Sequence, residues 1–202
     1  AWDTSKVTTL SETFYMAEAF NSELVWDTSS VTTMYRAFMQ ATSFNSELVW
    51  DTSKVTSMVH TFGLAYAFNQ PLVWDTSKAT SMQLMFYNAE AFNQPLTWDT
   101  SKVTSFVEAF RGAKAFDQAV GDWDVAKVFW ANDFANAFDS TALSGNDCLK
   151  SDTFFSWATV QKNQDFANTN PVFENTNWGK AFQGCKALSK KTKGATKGVF
   201  GS

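Results

Sequence analysis

The chain has 202 residues, a formal net charge of −4, 45% apolar residues, 20 Phe and 9 Trp. That length and apolar content suffice for one domain with its own core. The acidic balance offers no basic field for a phosphate backbone, which excludes nucleic acid as a partner class. No apolar stretch reaches the ~20 residues needed to cross a bilayer, so membrane insertion is not expected either.

From the first residues the chain repeats. Trp2, Trp26, Trp50, Trp74 and Trp98 stand 24 residues apart, each followed by Asp-Thr-Ser. A period of this size means that one unit cannot bury its apolar face alone, so neighbours must stack into a solenoid. In the unit from Trp50, the residues Val55, Met58, Phe62 and Ala65 are spaced at i, i+3, i+7 and i+10. That spacing predicts one face of a helix of about three turns, with Asp51, Thr52 or Ser53 capping its start. The following Leu72, Val73, Trp74, Asp75 and Thr76 alternate, which predicts a short parallel strand. Strands stack at ~4.8 Å and helices at ~8 to 10 Å, so the expected array is right-handed and curved, with strands on the tighter side.

Several columns follow from the period. The repeat core is expected at Trp26, Trp50, Trp74 and Trp98 and at Phe38, Phe62, Phe86 and Phe110. Asn45, Asn69 and Asn93 recur after the second Phe, where an amide side chain can satisfy turn backbone that no strand reaches. Asp3, Asp27, Asp51, Asp75, Asp99 and Asp124 form an acidic column, with Lys6, Lys54, Lys78, Lys102 and Lys127 three residues on. Capping and local pairing explain that column; a row of cation sites is the alternative, although calcium cages want several convergent oxygens. Two Thr columns, from Thr4 and from Thr8, could bond to turn backbone or form a hydroxyl ladder that orders water. The positions that vary between units include Tyr35, Met39, Val59, Leu64, Tyr66, Tyr87 and Arg111, residue types suited to partner contact. His60 is the single histidine and has no orienting partner in the motif, so a general base is not expected there.

Trp2 opens the first coil with nothing ahead of it to cover its edge, and an open edge is a template for another chain. Self-association through this N-terminal coil is the expected partner contact, with cover by an upstream domain as the alternative. A leader removed ahead of Ala1, or excision from a longer protein, would each leave such a start. At the other end, the sixth unit begins one residue late at Trp123 and decays. The expected division is a repeat array over 1–140, a C-terminal helical cap over 141–188 and a flexible basic tail over 189–202. Cys148 and Cys185 fall in the cap region. Bonded, they would fit an oxidising compartment and could add ~2 to 4 kcal/mol; two free thiols are the alternative.

The unit W-D-T-S-x-V-T-x-M-x-x-x-F-x-x-A-x-x-F-N-x-x-L, followed almost throughout by 50–72 and 74–96, resembles that of the BspA-like leucine-rich-repeat surface proteins. The likeness covers residues 1 to about 140. It implies an α/β fold, a leucine-rich-repeat-like solenoid of 24-residue coils with a short parallel strand and a helical segment in each. It also implies an extracellular or surface-exposed location and a role in adhesion or assembly, and carries over no catalytic residue. No phosphate loop, metal-ligand pair or nucleophile elbow occurs in the chain. The expectation is a non-enzymatic protein without cofactor or metal that acts by protein–protein contact, as an adhesin or a self-assembling structural subunit. The alternative is calcium, glycan or ice-interface binding through the Asp or Thr columns.

Overall fold

A computed structural model of the chain describes residues 2–128 and 131–143. Successive Trp-led segments lie on top of one another, coil 1 over residues 2–25, coil 2 over 26–49, coil 3 over 50–73, coil 4 over 74–97 and coil 5 over 98–122. A sixth, irregular segment over 123–143 closes the described part.

Each coil starts with a corner set by its own sequence. The Asp51 carboxylate accepts the Ser53 amide at 2.9 Å, and the Val55 amide donates to the Thr52 carbonyl at 2.9 Å. Asn and Asp favour such local turns because the short side chain reaches its own backbone two residues on. Thr52 turns inward, where its hydroxyl donates to the Asp75 carbonyl of the next coil at 2.9 Å. One residue per coil then pairs in parallel with its neighbours, in the series Thr9, Thr33, Ser57, Ser81 and Ser105.

The expected helix over 55–65 is not formed, and among the described residues the one helical element is a 3-10 turn at Ala131–Phe134. In its place stands a run of tight turns in which amides alternate between two partners. In coil 2, Ala37, Met39 and Ala41 donate within the coil to Met34, Arg36 and Phe38, while Met34, Arg36, Phe38 and Gln40 donate to Ser57, Val59, Thr61 and Gly63 of coil 3 at 2.8 to 3.0 Å. An α-helix would keep nearly all of these amides to itself and leave no backbone bond between coils. The turn run repeats every four residues and faces Met34, Ala37, Phe38, Ala41 and Phe44 inward, all buried. That spacing is close to 3.6, so the apolar pattern alone does not separate the two conformations.

The turn run has a conformational signature. Among the described residues, eleven that are not glycine hold positive φ, including Glu12 (59°), Met16 (59°), Arg36 (54°), Gln40 (60°), His60 (57°) and Leu64 (61°). They recur every 24 residues through coil 5, and after 28 in the sixth segment, as the second central residue of a turn, as type II turns require. Each departs from the usual preference of an L residue by about 1 to 2 kcal/mol, a cost that the bonds to the next coil offset.

The stretch over 72–76 does alternate, with Leu72, Trp74 and Thr76 buried and Val73 and Asp75 exposed. It is extended, yet no backbone-to-backbone bond joins it to its neighbours among the described residues. Side chains make the link instead: the Trp74 indole Nε1 donates to the Leu48 carbonyl at 3.3 Å, and Trp98 repeats this with Leu72. Ring spacing between coils is 5.0 to 5.6 Å along Phe38, Phe62, Phe86 and Phe110. It widens to 6.0 Å between Trp26 and Trp50 and 6.5 Å between Trp50 and Trp74. Backbone bonds join the coils along the turn wall, and indole-to-carbonyl bonds join them along the Trp side.

Between the walls lies one core. Phe38, Phe62, Phe86 and Phe110 stack on their neighbours above and below and on Phe44, Phe68, Phe92 and Phe116 beside them, at 4.0 to 4.3 Å. Offset stacking of this kind adds about 0.5 to 1.5 kcal/mol per pair beyond burial.

Candidate interaction surface

The turn wall carries the side chains that differ from coil to coil. Tyr35, Met39, Val59, Leu64, Tyr66, Tyr87 and Arg111 all lie on it, Tyr66 and Arg111 exposed and the other five half-buried. Met39, Gly63, Tyr87 and Arg111 stand in one 24-residue column, and Tyr66 neighbours Glu90 and Lys114 in another. The inward residues of each turn leave the others no direction but outward, so the same bonds that build the coil display this set.

Charged groups also pair on the wall, at positions the repeat motif leaves open. The Arg36 guanidinium lies 3.3 Å from the Glu12 carboxylate one coil earlier and 4.8 Å from the Tyr35 ring centroid. Arg111 pairs with Glu108 at 2.7 Å, and Lys114 with Glu90 of the coil before at 2.8 Å. Glu12, Arg36, His60, Leu84 and Glu108 share a register; reading the chain in steps of 24 would have aligned them. His60 is half-buried and edges onto Tyr87 at 6.5 Å. Burial, and then the nearby Arg36 charge, push its pKa below the usual imidazole value, while Glu108 acts the other way. A Cβ at Gly63 would stand 2.9 Å from His60 Nδ1, so the imidazole occupies the notch that the missing side chain leaves. His60 Nδ1 and Arg36 Nε are buried without a hydrogen-bond partner.

The Trp side presents a different chemistry. Val25, Val49 and Val73 are exposed, Val73 at 94%, beside the acidic column. The serine two residues on, by hydroxyl and amide, holds the Asp3, Asp27, Asp51, Asp75 and Asp99 carboxyls below the ordinary carboxylate range. Lys54 and Lys102 assist at Asp51 and Asp99. One oxygen of each carboxylate is thus committed to its own turn, and among the described residues no group of three or more His, Cys, Asp or Glu could hold a metal ion.

The other columns are internal links. The Asn45 Oδ1 accepts the Asn69 amide at 2.8 Å, and the Asn69 Oδ1 accepts the Asn93 amide at 2.9 Å and the Gln94 side chain at 3.1 Å. The two Thr ladders separate: Thr4, Thr28, Thr52, Thr76 and Thr100 are buried, while Thr8, Thr32, Thr56, Thr80 and Thr104 are exposed. From Thr32 onward the exposed hydroxyls are engaged as well, Thr32 donating to the Thr8 carbonyl at 3.1 Å and Thr56 to the Thr32 carbonyl at 3.2 Å. Cys148, Cys185, the cap beyond Leu143 and the basic tail lie outside the described residues. No helix among the described residues is long and apolar enough to cross a membrane.

A stack of 24-residue coils with a repeated interior and a varied turn wall defines a repeat protein. The chain belongs to the DUF285 family, described as a Mycoplasma protein of unknown function, which matches it three times in overlapping spans, residues 1–97, 72–169 and 97–194. The repeated match is consistent with the BspA-like resemblance of the motif. No curated protein and no solved structure matches the chain.

Proposed function

We infer that this is a non-enzymatic, extracellular or surface-exposed repeat protein of leucine-rich-repeat-like solenoid type, working by protein–protein contact as an adhesin or a self-assembling structural subunit. The reading is carried by one observation: the groups facing inward or along the stack recur in each coil, while Tyr35, Met39, Tyr66, Tyr87 and Arg111 change the face of the turn wall from coil to coil. Tyr, Met and Arg are enriched in interfaces, where they give contact area and directed hydrogen bonds. The polar groups that could serve chemistry, the Asp, Asn and Thr columns, are bonded to backbone instead.

Sedimentation velocity of the full chain over a range of concentrations tests the assembly form of this reading, with and without added calcium. Growth of the sedimenting species with concentration, indifferent to calcium, is the expected result. A strict monomer that responds to calcium would overturn it in favour of cation binding by the Asp column.

A further inference from the structure

His60 is the single histidine of the chain and stands within the turn wall, in coil 3, at φ 57°. Glu12, Arg36, Leu84 and Glu108 share its register and its left-handed conformation. Leu84 (φ 53°) shows that an apolar side chain serves equally well there, so the backbone does not call for an imidazole. What the imidazole meets is particular to coil 3. Gly63, three residues on, is buried, and the place of its missing Cβ lies 2.9 Å from His60 Nδ1. Tyr15, Met39, Tyr87 and Arg111 put a side chain at the register of Gly63 in the other coils, so the notch belongs to this coil and His60 fills it.

A neutral ring suits this place and an imidazolium does not. Both nitrogens of an imidazolium are donors, and Nδ1 is sealed from solvent with no hydrogen-bond partner. A proton held there is a charged donor without an acceptor, which is costly. The charged and titratable groups around the ring do not offset that cost. In coil 2, the Arg36 guanidinium lies against the Tyr35 ring, is met by Glu12 at 3.3 Å across a half-exposed pair, and keeps a buried Nε without a partner. In coil 4, His60 lies edge-on to Tyr87 at 6.5 Å. In coil 5, Glu108 favours the proton, but Arg111 engages its carboxylate at 2.7 Å.

We propose that His60 and Gly63 form an acid-operated latch in the turn wall: the neutral imidazole closes the Gly63 notch, and protonation drives the ring out of the notch and off Tyr87 into solvent. The way out exists because His60 is half-buried. Rotation about its side-chain bonds moves the ring while the His60 amide keeps its 3.0 Å bond to the Gln83 carbonyl of the next coil. The released ring carries a positive charge onto the wall of Tyr35, Leu64, Tyr66 and Tyr87 and uncovers Gly63, so the face differs in shape and charge on the two sides of the transition. The sign follows from burial and the Arg36 charge, which hold the imidazole below its usual value. The closed latch is fully stable above 6.5, the unfolded value, and stability is lost as pH falls from there to the lower folded value. The carboxyls of the acidic column, held below 3.8, take no part in that interval. The latch is internal to the chain and stands whether or not the wall binds a partner.

NMR of the full chain from about pH 7.5 to about pH 5 tests the latch, since one histidine gives one set of imidazole signals. Two variants accompany the parent. Gly63→Ala fills the notch, and only Nδ1 stands too close to the added Cβ; the Leu84 and His60 carbonyl oxygens lie at 3.5 and 3.6 Å, so the ring gives way and the backbone stays. His60→Leu installs the residue that coil 4 holds at the same register. In the parent, the imidazole should titrate with a midpoint below 6.5, and the Gly63 amide and Tyr87 ring signals should move with it. In Gly63→Ala the midpoint should return toward 6.5, and the Tyr87 signals should no longer follow pH. A parent midpoint at 6.5 or above overturns the proposal, as do Gly63 and Tyr87 signals that ignore the titration, or an unchanged midpoint in Gly63→Ala. Should Gly63→Ala fail to fold, thermal melting decides: over the same interval the parent should lose about 2 °C or more and His60→Leu clearly less, and equal losses overturn the latch.

Discussion

Replacing Gln40 by glycine should leave the protein unchanged or more stable, while the same replacement at Gln83 should weaken it. Both glutamines are half-buried on the turn wall, and their side chains are alike, so the comparison isolates the backbone. Gln40 sits at φ 60°, and Gln83 is not among the residues at positive φ. Glycine raises the entropy of the unfolded chain at either position, a loss of about 0.5 to 1 kcal/mol. At Gln40 it also removes the Cβ penalty of the left-handed region, a gain of about 1 to 2 kcal/mol. The two variants should therefore differ by about 1 to 2 kcal/mol in urea unfolding free energy, with Gln40→Gly the more stable. A helix at this place would make both substitutions unfavourable by about 1 kcal/mol. Equal losses at the two positions would refute the turn run.

The layered core implies that position along the stack governs cost. Phe62→Ala removes a ring with no exposed surface that contacts Phe38, Phe68, Trp74 and Phe86, and should cost about 3 to 5 kcal/mol. Phe14→Ala, at the half-buried end, should cost about half as much; equal costs in chemical denaturation would contradict the stacking order. Asn69→Ala strips the acceptor from the Asn93 amide and should cost about 1 to 3 kcal/mol, with faster hydrogen exchange at that amide than in the parent. For the acidic column the sign follows from the depressed carboxyls: their contribution is complete above 3.8, the unfolded value, and is lost as pH falls through the lower folded value. Thermal stability should fall below that pH, and Asp51→Asn should lose less over the same interval, as melting curves from pH 5 to 2 would show.

Much of the interior was legible because the repeat itself aligns the residues that meet. Trp26, Trp50 and Trp74 share a register in the sequence and a stack in space, and Asn45, Asn69 and Asn93 likewise fall into one bonded column. The conformation of the turn run was not legible, since Val55, Met58, Phe62 and Ala65 suit a helix and a four-residue turn repeat equally well. Nothing in the residue types at Arg36, Gln40, His60 or Leu64 announces positive φ, for the usual signals, Gly and Asn, stand only at Gly112, Asn88 and Asn136 in the equivalent columns. The strand expected over 72–76 was also not legible as what it is, a segment linked to its neighbours by indole-to-carbonyl bonds and not by a backbone ladder. The pairing of Glu12 with Arg36 escaped because the residue type in that register changes from coil to coil, which a motif averages away.

Because the side-chain bonds between coils join residues 23 to 28 positions apart, no long excursion of the chain is needed at any stage of folding. Each new layer closes a loop of nearly the same modest size on a surface already in place. Whichever neighbouring pair of coils forms first bears the entropic barrier, and further layers can add on either side of it. A polypeptide of this design can lengthen by duplication without becoming slower to fold.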